Sequence, residues 1–459
     1  MGRRNVLAAG ESPGKPGKTG KEFPDHRQQK AGLGQRIMEE QQDITGSSSG
    51  LPLKNQTAQS EWDDWQWQMR NRIVSAASLQ NHLRLDSRRV AEMTLVEDRF
   101  RTVITPYYLS LANPEDPNDP ILRQALPDPR ELEMAHFGEA DPLSEEEDMP
   151  VVGLTHRYED RALMVVTNAC AMFCRHCTRK RIWHASDANV GETSISKMIN
   201  YIRRTPSIRD VILSGGDPFT LPTWRLEHIL KRLRAIPHVE VIRIGTRTPV
   251  TVPMRINNEL CEMLDRYGPI WVNTQFNHPN EITEESAAAV DRLIRHGVCV
   301  NNQSVLLRGI NDDPEIIKTL CRKLVRVKVR PYYLFQCDQV EGVEHFRTRV
   351  SKGIEIMEGL RGHTTGFSIP TFVVDGPEGT GKIPVMPNYL ISQSEQMSVL
   401  RNYEGMIVGY RESGERIEPQ THRTSGGVSA ILAGLTPAIT PYESRRMTRR
   451  RLRAAGAGL

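Results

Sequence analysis

Leu163-Met164-Val165-Val166-Thr167-Asn168-Ala169-Cys170-Ala171-Met172-Phe173-Cys174-Arg175-His176-Cys177 is the stretch on which the reading of this chain turns. Its apolar start reads as a buried strand, and that strand delivers three cysteines, spaced Cys-x3-Cys-x2-Cys, onto the following loop. Three closely spaced thiolates can hold a soft metal centre. Three protein ligands also leave a coordination position open, which is how a metal site does chemistry instead of only bracing a fold. The competing reading is a structural zinc site completed by His176 or His184, and the triplet alone does not separate the two.

Working outward, residues from about 160 alternate between short β-rich runs and amphipathic helical segments. The runs cover residues 163–167, 211–214, 239–245, 270–276, 298–306 and 329–336. Helical patterns lie between them, such as 283–296, closed by Gly297, and 314–325. Six βα units over some 180 residues predict a parallel barrel or an open part of one. A further run, 368–374, reads as another strand at its edge. Ligand and catalytic groups of such a barrel belong on the loops after the strands. The unusual polar clusters fall there: the cysteines, Gly215-Gly216-Asp217-Pro218, Thr246-Arg247-Thr248-Pro249, Gln275-Phe276-Asn277-His278, Asn301-Asn302-Gln303, Gln336-Cys337-Asp338 and Asp375. Their coincidence argues for one shared site and shifts the triplet away from structural zinc.

Composition sets the outer bounds. The chain has 459 residues, 38% hydrophobic and 25% charged, with a formal net charge of +4; its mean hydropathy is −0.47. No apolar run approaches the roughly 20 residues a membrane span needs, and Arg3 and Arg4 precede no apolar core of a secretory signal. The small net charge argues against nucleic acid as a partner. Basic residues do cluster at the tail, Arg445-Arg446, Arg449-Arg450-Arg451 and Arg453. An RNA-binding tail is one reading of them; a solvated tail is the preferred one. Cys261, Cys299, Cys321 and Cys337 are scattered through apolar stretches and read as small packed hydrophobes of a protein in a reducing compartment, the cytoplasm. Residues 1–58 read as disordered. Trp62, Trp65, Met69 and Ile73 recur at helical spacing and read as one packed helix face. The Pro- and acid-rich residues 111–150 read as an extended wrap or linker.

The Cys-x3-Cys-x2-Cys loop after the first strand and Gly-Gly-Asp after the second resemble the radical S-adenosylmethionine (SAM) enzymes. The resemblance implies that Cys170, Cys174 and Cys177 ligate three irons of a 4Fe–4S cluster. It implies that SAM takes the fourth iron, and that Gly215, Gly216 and Asp217 meet its methionine part. Three fixed anionic ligands leave one iron accessible. An electron from the cluster then cleaves SAM to methionine and a deoxyadenosyl radical. Thr155-His156-Arg157-Tyr158, Cys174-Arg175-His176-Cys177-Thr178-Arg179-Lys180-Arg181, Ile244-Gly245-Thr246-Arg247-Thr248-Pro249 and Arg330-Pro331-Tyr332-Tyr333 narrow the resemblance. They are similar to the lysine 2,3-aminomutase branch, from about Trp62 to Gly405.

The implied fold is α/β, a partial (β/α)6 TIM-type barrel of the radical SAM type. Residues 59–155 would be a helical region and linker, 156–384 the barrel, and 385–459 a carboxyl-terminal extension ending in the basic tail. The implied activity moves an amino acid's α-amino group to its β-carbon, converting L-lysine to β-lysine, with pyridoxal phosphate (PLP) as further cofactor. Lys382 is the implied Schiff-base lysine, and Arg157 and Arg161 would meet the PLP phosphate. Gln303 joins the cofactor-binding set. Arg179 matches the arginine that binds the substrate carboxylate. Asp338 and Asp375 match the carboxylates that hold its distal ammonium. L-arginine is the alternative substrate, since a guanidinium can also pair with two carboxylates. A non-catalytic zinc or nucleic-acid-binding module is the alternative of another class. The resemblance further implies a free basic amino acid as substrate, an electron donor such as flavodoxin or ferredoxin, and a homo-oligomer.

Gly376-Pro377-Glu378-Gly379-Thr380-Gly381-Lys382 also satisfies the phosphate-loop pattern Gly-x4-Gly-Lys. That motif needs a hydroxyl residue and a helix start after the lysine, and Ile383-Pro384 supplies neither. Three departures from the family stand out. Glu378 and Thr380 replace two glycines of the loop before the lysine. Gln275 stands where histidine is usual. Asp313 stands where clostridial-type enzymes carry a zinc-binding cysteine, so no such zinc is expected.

Overall fold

The computed structural model describes residues 54, 57–184, 187–394, 397–413 and 445–454. The expected disorder of residues 1–58 lies almost entirely outside these.

Every run expected to be a strand is one. β1 (Leu154–Tyr158) and β2 (Arg161–Thr167) form a tight hairpin, followed by β3 (Asp210–Gly215), β4 (Val241–Gly245), β5 (Ile270–Thr274), β6 (Cys299–Leu306), β7 (Arg330–Gln336), β8 (Thr371–Gly376) and β9 (Gly381–Pro384). They form one sheet in sequence order, parallel from β2 to β8, with β1 and β9 antiparallel at its two edges. The crossovers carry helices Glu192–Arg203, Thr223–Arg234, Asn258–Arg266, Glu284–Arg295, Pro314–Arg326 and Val350–Leu360. This is the expected partial (β/α)6 barrel, extended by β8 and β9.

Local chemistry places these elements. On β2 the side chains of Ala162, Met164 and Val166 are buried, while the alternate residues turn to the barrel interior. Ile195, Ile199 and Ile202 of the first crossover helix join them in the main core, each buried aliphatic side chain contributing roughly 1.5–3 kcal/mol. Asn257, Thr283 and Asp313 cap three of the helices by accepting from backbone N–H groups of the first turn.

β1 and β9 share no ladder. They meet through side chains instead: the Lys382 backbone N–H donates to Tyr158 Oη at 3.0 Å. The sheet therefore curls until its first and last strands touch, leaving a seam closed by single contacts.

Three regions differ from expectation. The tryptophan stripe is two helices, Gln59–Trp62 and Trp65–Arg70, because the Asp64 carboxylate accepts from the N–H groups of Gln66 and Trp67 and starts a new helix. Residues 111–150 are more than a linker: they contain helices Pro120–Ala125 and Arg130–Glu133 and bury Gln124, Glu131, Glu145 and Asp148 against the barrel. The basic tail, expected to be solvated, forms helix Arg445–Ala454. Its Arg449 donates to the Arg157 carbonyl at 2.7 Å and its Arg450 to Asp148 at 3.1 Å. The buried carboxylate of Asp148 and the exposed one of Glu147 hold this tail down. Cys299 is also exposed, unlike Cys261, Cys321 and Cys337, because along β6 its side chain points opposite to the core residues Val298 and Val300 that flank it.

The carboxyl-terminal extension adds a small antiparallel sheet of β10 (Leu390–Gln393), β11 (Met397–Arg401) and β12 (Ile407–Arg411). Among the described residues, no helix is long and apolar enough to cross a membrane.

Candidate active site

The strand ends surround one cavity of about 570 Å³, and all three cysteines of the triplet line it. The glycines after β3 are there for close approach. A Cβ on Gly215 would lie 2.3 Å from the Thr167 carbonyl, and one on Gly216 2.2 Å from that of Ala169. Bare backbone lets Gly216 N–H donate to Thr167 at 2.6 Å and Asp217 N–H to Ala169 at 2.7 Å, which pins the start of the cysteine loop. The Asp217 carboxylate points inward, accepting from Thr246 Oγ1 at 2.5 Å and the Arg247 N–H at 2.7 Å. What this segment presents to the cavity is therefore mainly backbone.

The amino-terminal region grips the cysteine loop from outside. Arg175 and Lys180 share the fully buried Glu131, at 2.6 Å each, and the Phe173 ring stacks on Trp183 with centroids 4.7 Å apart. Burial penalises the Glu131 charge, yet the two cations hold its carboxyl below the usual range. Burial and the neighbouring Cys174 push the Cys177 thiol up to about 11. Burial, with Asp217 and the other two cysteines, also raises the Cys170 thiol well above its ordinary range. Such thiols become anions when a cation binds them.

Among the described residues, no three His, Cys, Asp or Glu side chains close on a single ion. Three thiols lining one cavity are a donor set of the kind that holds an iron–sulfur cluster. Polar groups on the wall also await a ligand. Asn277 accepts from Val305 N–H through Oδ1, so its Nδ2 faces His176 Nε2 as a donor, at 3.3 Å. The proton of His176 therefore sits on Nδ1, a buried atom with no protein partner, as are Thr155 Oγ1 and Thr274 Oγ1. The cavity's donor set and unpaired wall atoms fit a cluster with a polar ligand beside it.

Across the cavity, Lys382 on β9 and Asp375 on β8 are ladder partners. The Lys382 ammonium donates to both carboxylate oxygens at 3.0 Å and lies 4.8 Å from the Phe335 ring centroid. Lys382 thus sits on a strand rather than at a helix start, unlike the lysine of a phosphate loop. In the turn before it, Glu378 adopts φ +52°, a left-handed conformation that glycine takes without strain. Asp338 accepts from Thr178 at 2.7 Å; burial and the nearby Asp375 carboxylate push its carboxyl up to about 6.

Arg179 meets Glu145 side-on, Nε at 2.9 Å and Nη2 at 2.6 Å, and its Nη1 donates to Ser214 at 3.1 Å. Burial alone would raise the Glu145 carboxyl, but Arg179 and Arg181 pull it down to about 2. Arg157 pairs with Asp148 at 3.0 Å and packs beneath Gly379, while Arg161 is more exposed, 4.5 Å from the Tyr158 ring centroid. Gln303 lines the same cavity from β6. The structure so brings every residue singled out for the site to one chamber.

Comparison with known proteins agrees. The "Radical SAM superfamily" profile matches residues 164–320 and the "Lysine-2,3-aminomutase" profile residues 357–457. An L-lysine 2,3-aminomutase of Clostridium subterminale is 54% identical over 78% of this chain and 86% of its own length. The chain belongs to the lysine 2,3-aminomutase family. A second L-lysine 2,3-aminomutase, of Acetoanaerobium sticklandii, is 49% identical over 85% of this chain and 97% of its own length. A glutamate 2,3-aminomutase of Clostridioides difficile is 44% identical over 78% of this chain and 84% of its own length. As a radical SAM aminomutase, the chain is an isomerase whose cofactors are a 4Fe–4S cluster, SAM and PLP.

The motif reading passed over two residues of this aminomutase site. Glu145 lies in the acidic stretch taken for a linker, where its neighbours Glu146 and Glu147 hid it. Arg247 lies in a quoted block, yet nothing in its spacing announced a contact with Cys174.

Proposed function

We propose that this enzyme converts L-lysine to β-lysine, moving the amino group from C2 to C3. The observation that carries the substrate choice is the pair Asp338 and Asp375 lining the same cavity, with the Asp375 charge near enough to act on Asp338. Two carboxylates in a buried chamber with one ammonium beside them, that of Lys382, call for a further cation, and the distal ammonium of lysine is one. The anionic side chain of glutamate would be repelled there.

Arg179 presents a planar fork to the substrate carboxylate at the other end. Between these ends Lys382 carries PLP, with Arg157 and Arg161 toward its phosphate, and Asp375 holds the Lys382 ammonium whenever it is released. Cys170, Cys174 and Cys177 hold the cluster; Gly215, Gly216, Asp217 and Gln303 meet SAM. When bound, the cluster and SAM supply one-electron chemistry that removes a substrate hydrogen, and PLP supplies a ring that delocalises the unpaired electron. The chain's own contribution is orientation and the exclusion of water and oxygen.

The cluster is reduced by a one-electron donor of flavodoxin or ferredoxin type in the cytoplasm, where the free cysteines stay reduced. Exposed Ile391, Ile407 and Tyr410 on the small sheet support a homo-oligomer.

Reconstituted enzyme incubated anaerobically with lysine, arginine or glutamate tests the reading. β-Lysine is the expected product. A β-amino product from arginine or glutamate alone would discard lysine as substrate.

A further inference from the structure

Arg247 follows β4 and is 8% exposed. Its guanidinium is fixed on three sides. Nε donates to the Gln275 carbonyl at 3.1 Å, while Nη2 donates to Gln124 Oε1 and to Glu281 Oε1, each at 2.6 Å. Its backbone N–H is held by Asp217 at 2.7 Å. Glu281 is fully buried and locked in turn, accepting from Tyr108 Oη at 2.8 Å and from the N–H groups of Asn277 and His278 at 2.5 and 3.0 Å. The remaining edge of the guanidinium, Nη1, points at Cys174 Sγ, 2.8 Å away.

A brace for the fold has no need of that last contact, because Glu281 already satisfies the charge of Arg247. The contact is also asymmetric. Cys177 Sγ receives a backbone N–H, from Arg179 at 3.3 Å, and among the described residues no side-chain cation is recorded donating to the sulfur of Cys170 or Cys177.

We propose that Arg247 sets the reduction potential of the cluster through its hydrogen bond to Cys174, an inference that rests on the cysteine triplet being the cluster site. A donor on a cluster sulfur withdraws electron density and favours the state with the added electron. Burial strengthens the effect. Arg247 is thus a positioning and tuning residue, easing electron uptake from the donor protein without touching substrate.

The test is an EPR-monitored redox titration of the reconstituted enzyme without SAM, for wild type, Arg247→Gln and Arg247→Lys. The expected result is a lower midpoint potential for Arg247→Gln and a value between it and wild type for Arg247→Lys, at equal iron content. Equal potentials in all three overturn the proposal. A second measurement needs no variant. Wild-type enzyme grown with arginine labelled with 15N only in the guanidinium, then reduced, is expected to show a 15N coupling to the cluster in pulsed EPR, and its absence overturns the proposal. A chain that takes up no 4Fe–4S cluster is a different failure: it shows no cluster signal in either measurement, and it removes the site reading together with the inference.

Discussion

At the residue scale, the charges assigned to substrate are already paired within the chain: Arg179 with Glu145, Asp375 with Lys382. The Glu145 contact takes the Nε–Nη2 side of the guanidinium and turns Nη1, which donates to Ser214 Oγ, toward the cavity. Glu145→Gln should release that orientation. A charge-assisted hydrogen bond contributes about 1.5–3 kcal/mol, so KM for lysine should rise roughly 10- to 100-fold while kcat changes little, as steady-state kinetics will show. Asp338 carries a pH signature. Its carboxyl is raised to about 6 in the fold, so it is neutral below that pH and becomes available to a cation above it. The value of kcat/KM for lysine should therefore fall as pH drops through about 6, and Asp338→Asn should abolish that limb. The linked stability runs the other way. A carboxyl raised above its unfolded value destabilises the fold once pH exceeds that value, so without substrate Asp338→Asn should raise Tm at pH 8 and leave it unchanged near pH 4. Sequence made Asp338 visible by its place at a strand end, but its elevated pKa depends on burial and then on Asp375, 37 positions away in the chain, and only the barrel supplies both.

At the element scale, the cysteine loop is held by a region whose importance no periodicity announces. Strands β2 to β8 were legible because buried parallel strands are nearly continuous apolar runs, and Thr283 and Gly297 bracketed their helix by capping chemistry. The helix Arg130–Glu133 is too short to leave a pattern, yet it presents Glu131 to Arg175 and Lys180 on either side of Cys177. Glu131→Gln should leave two buried cations underpaired, a loss of about 3–5 kcal/mol for a broken buried pair. Thermal unfolding should report a large fall in Tm, and reconstituted protein should retain less iron. The break at Asp64 was equally hidden, since the tryptophan spacing continues through it and only the cap interrupts the helix.

At the scale of the whole molecule, the last described helix returns to the first strand of the barrel. Arg450 of the terminal helix and Arg157 share the buried carboxylate of Asp148, so a tail that composition alone presents as a solvated charge run is anchored beside Arg157. Arg450→Ala should lower stability by about 1–2 kcal/mol through the loss of one partner of a buried carboxylate and weaken retention of PLP, measured as cofactor absorbance after gel filtration. The seam between β1 and β9 has a consequence of its own. Lys382 sits on the outermost strand of the sheet, whose one ladder is to β8, whereas each parallel strand from β2 to β8 has a ladder on both sides. The lysine proposed to exchange one partner for another is mounted on the outer stave of the barrel, and the cysteines proposed to hold the cluster follow directly on one of its inner staves.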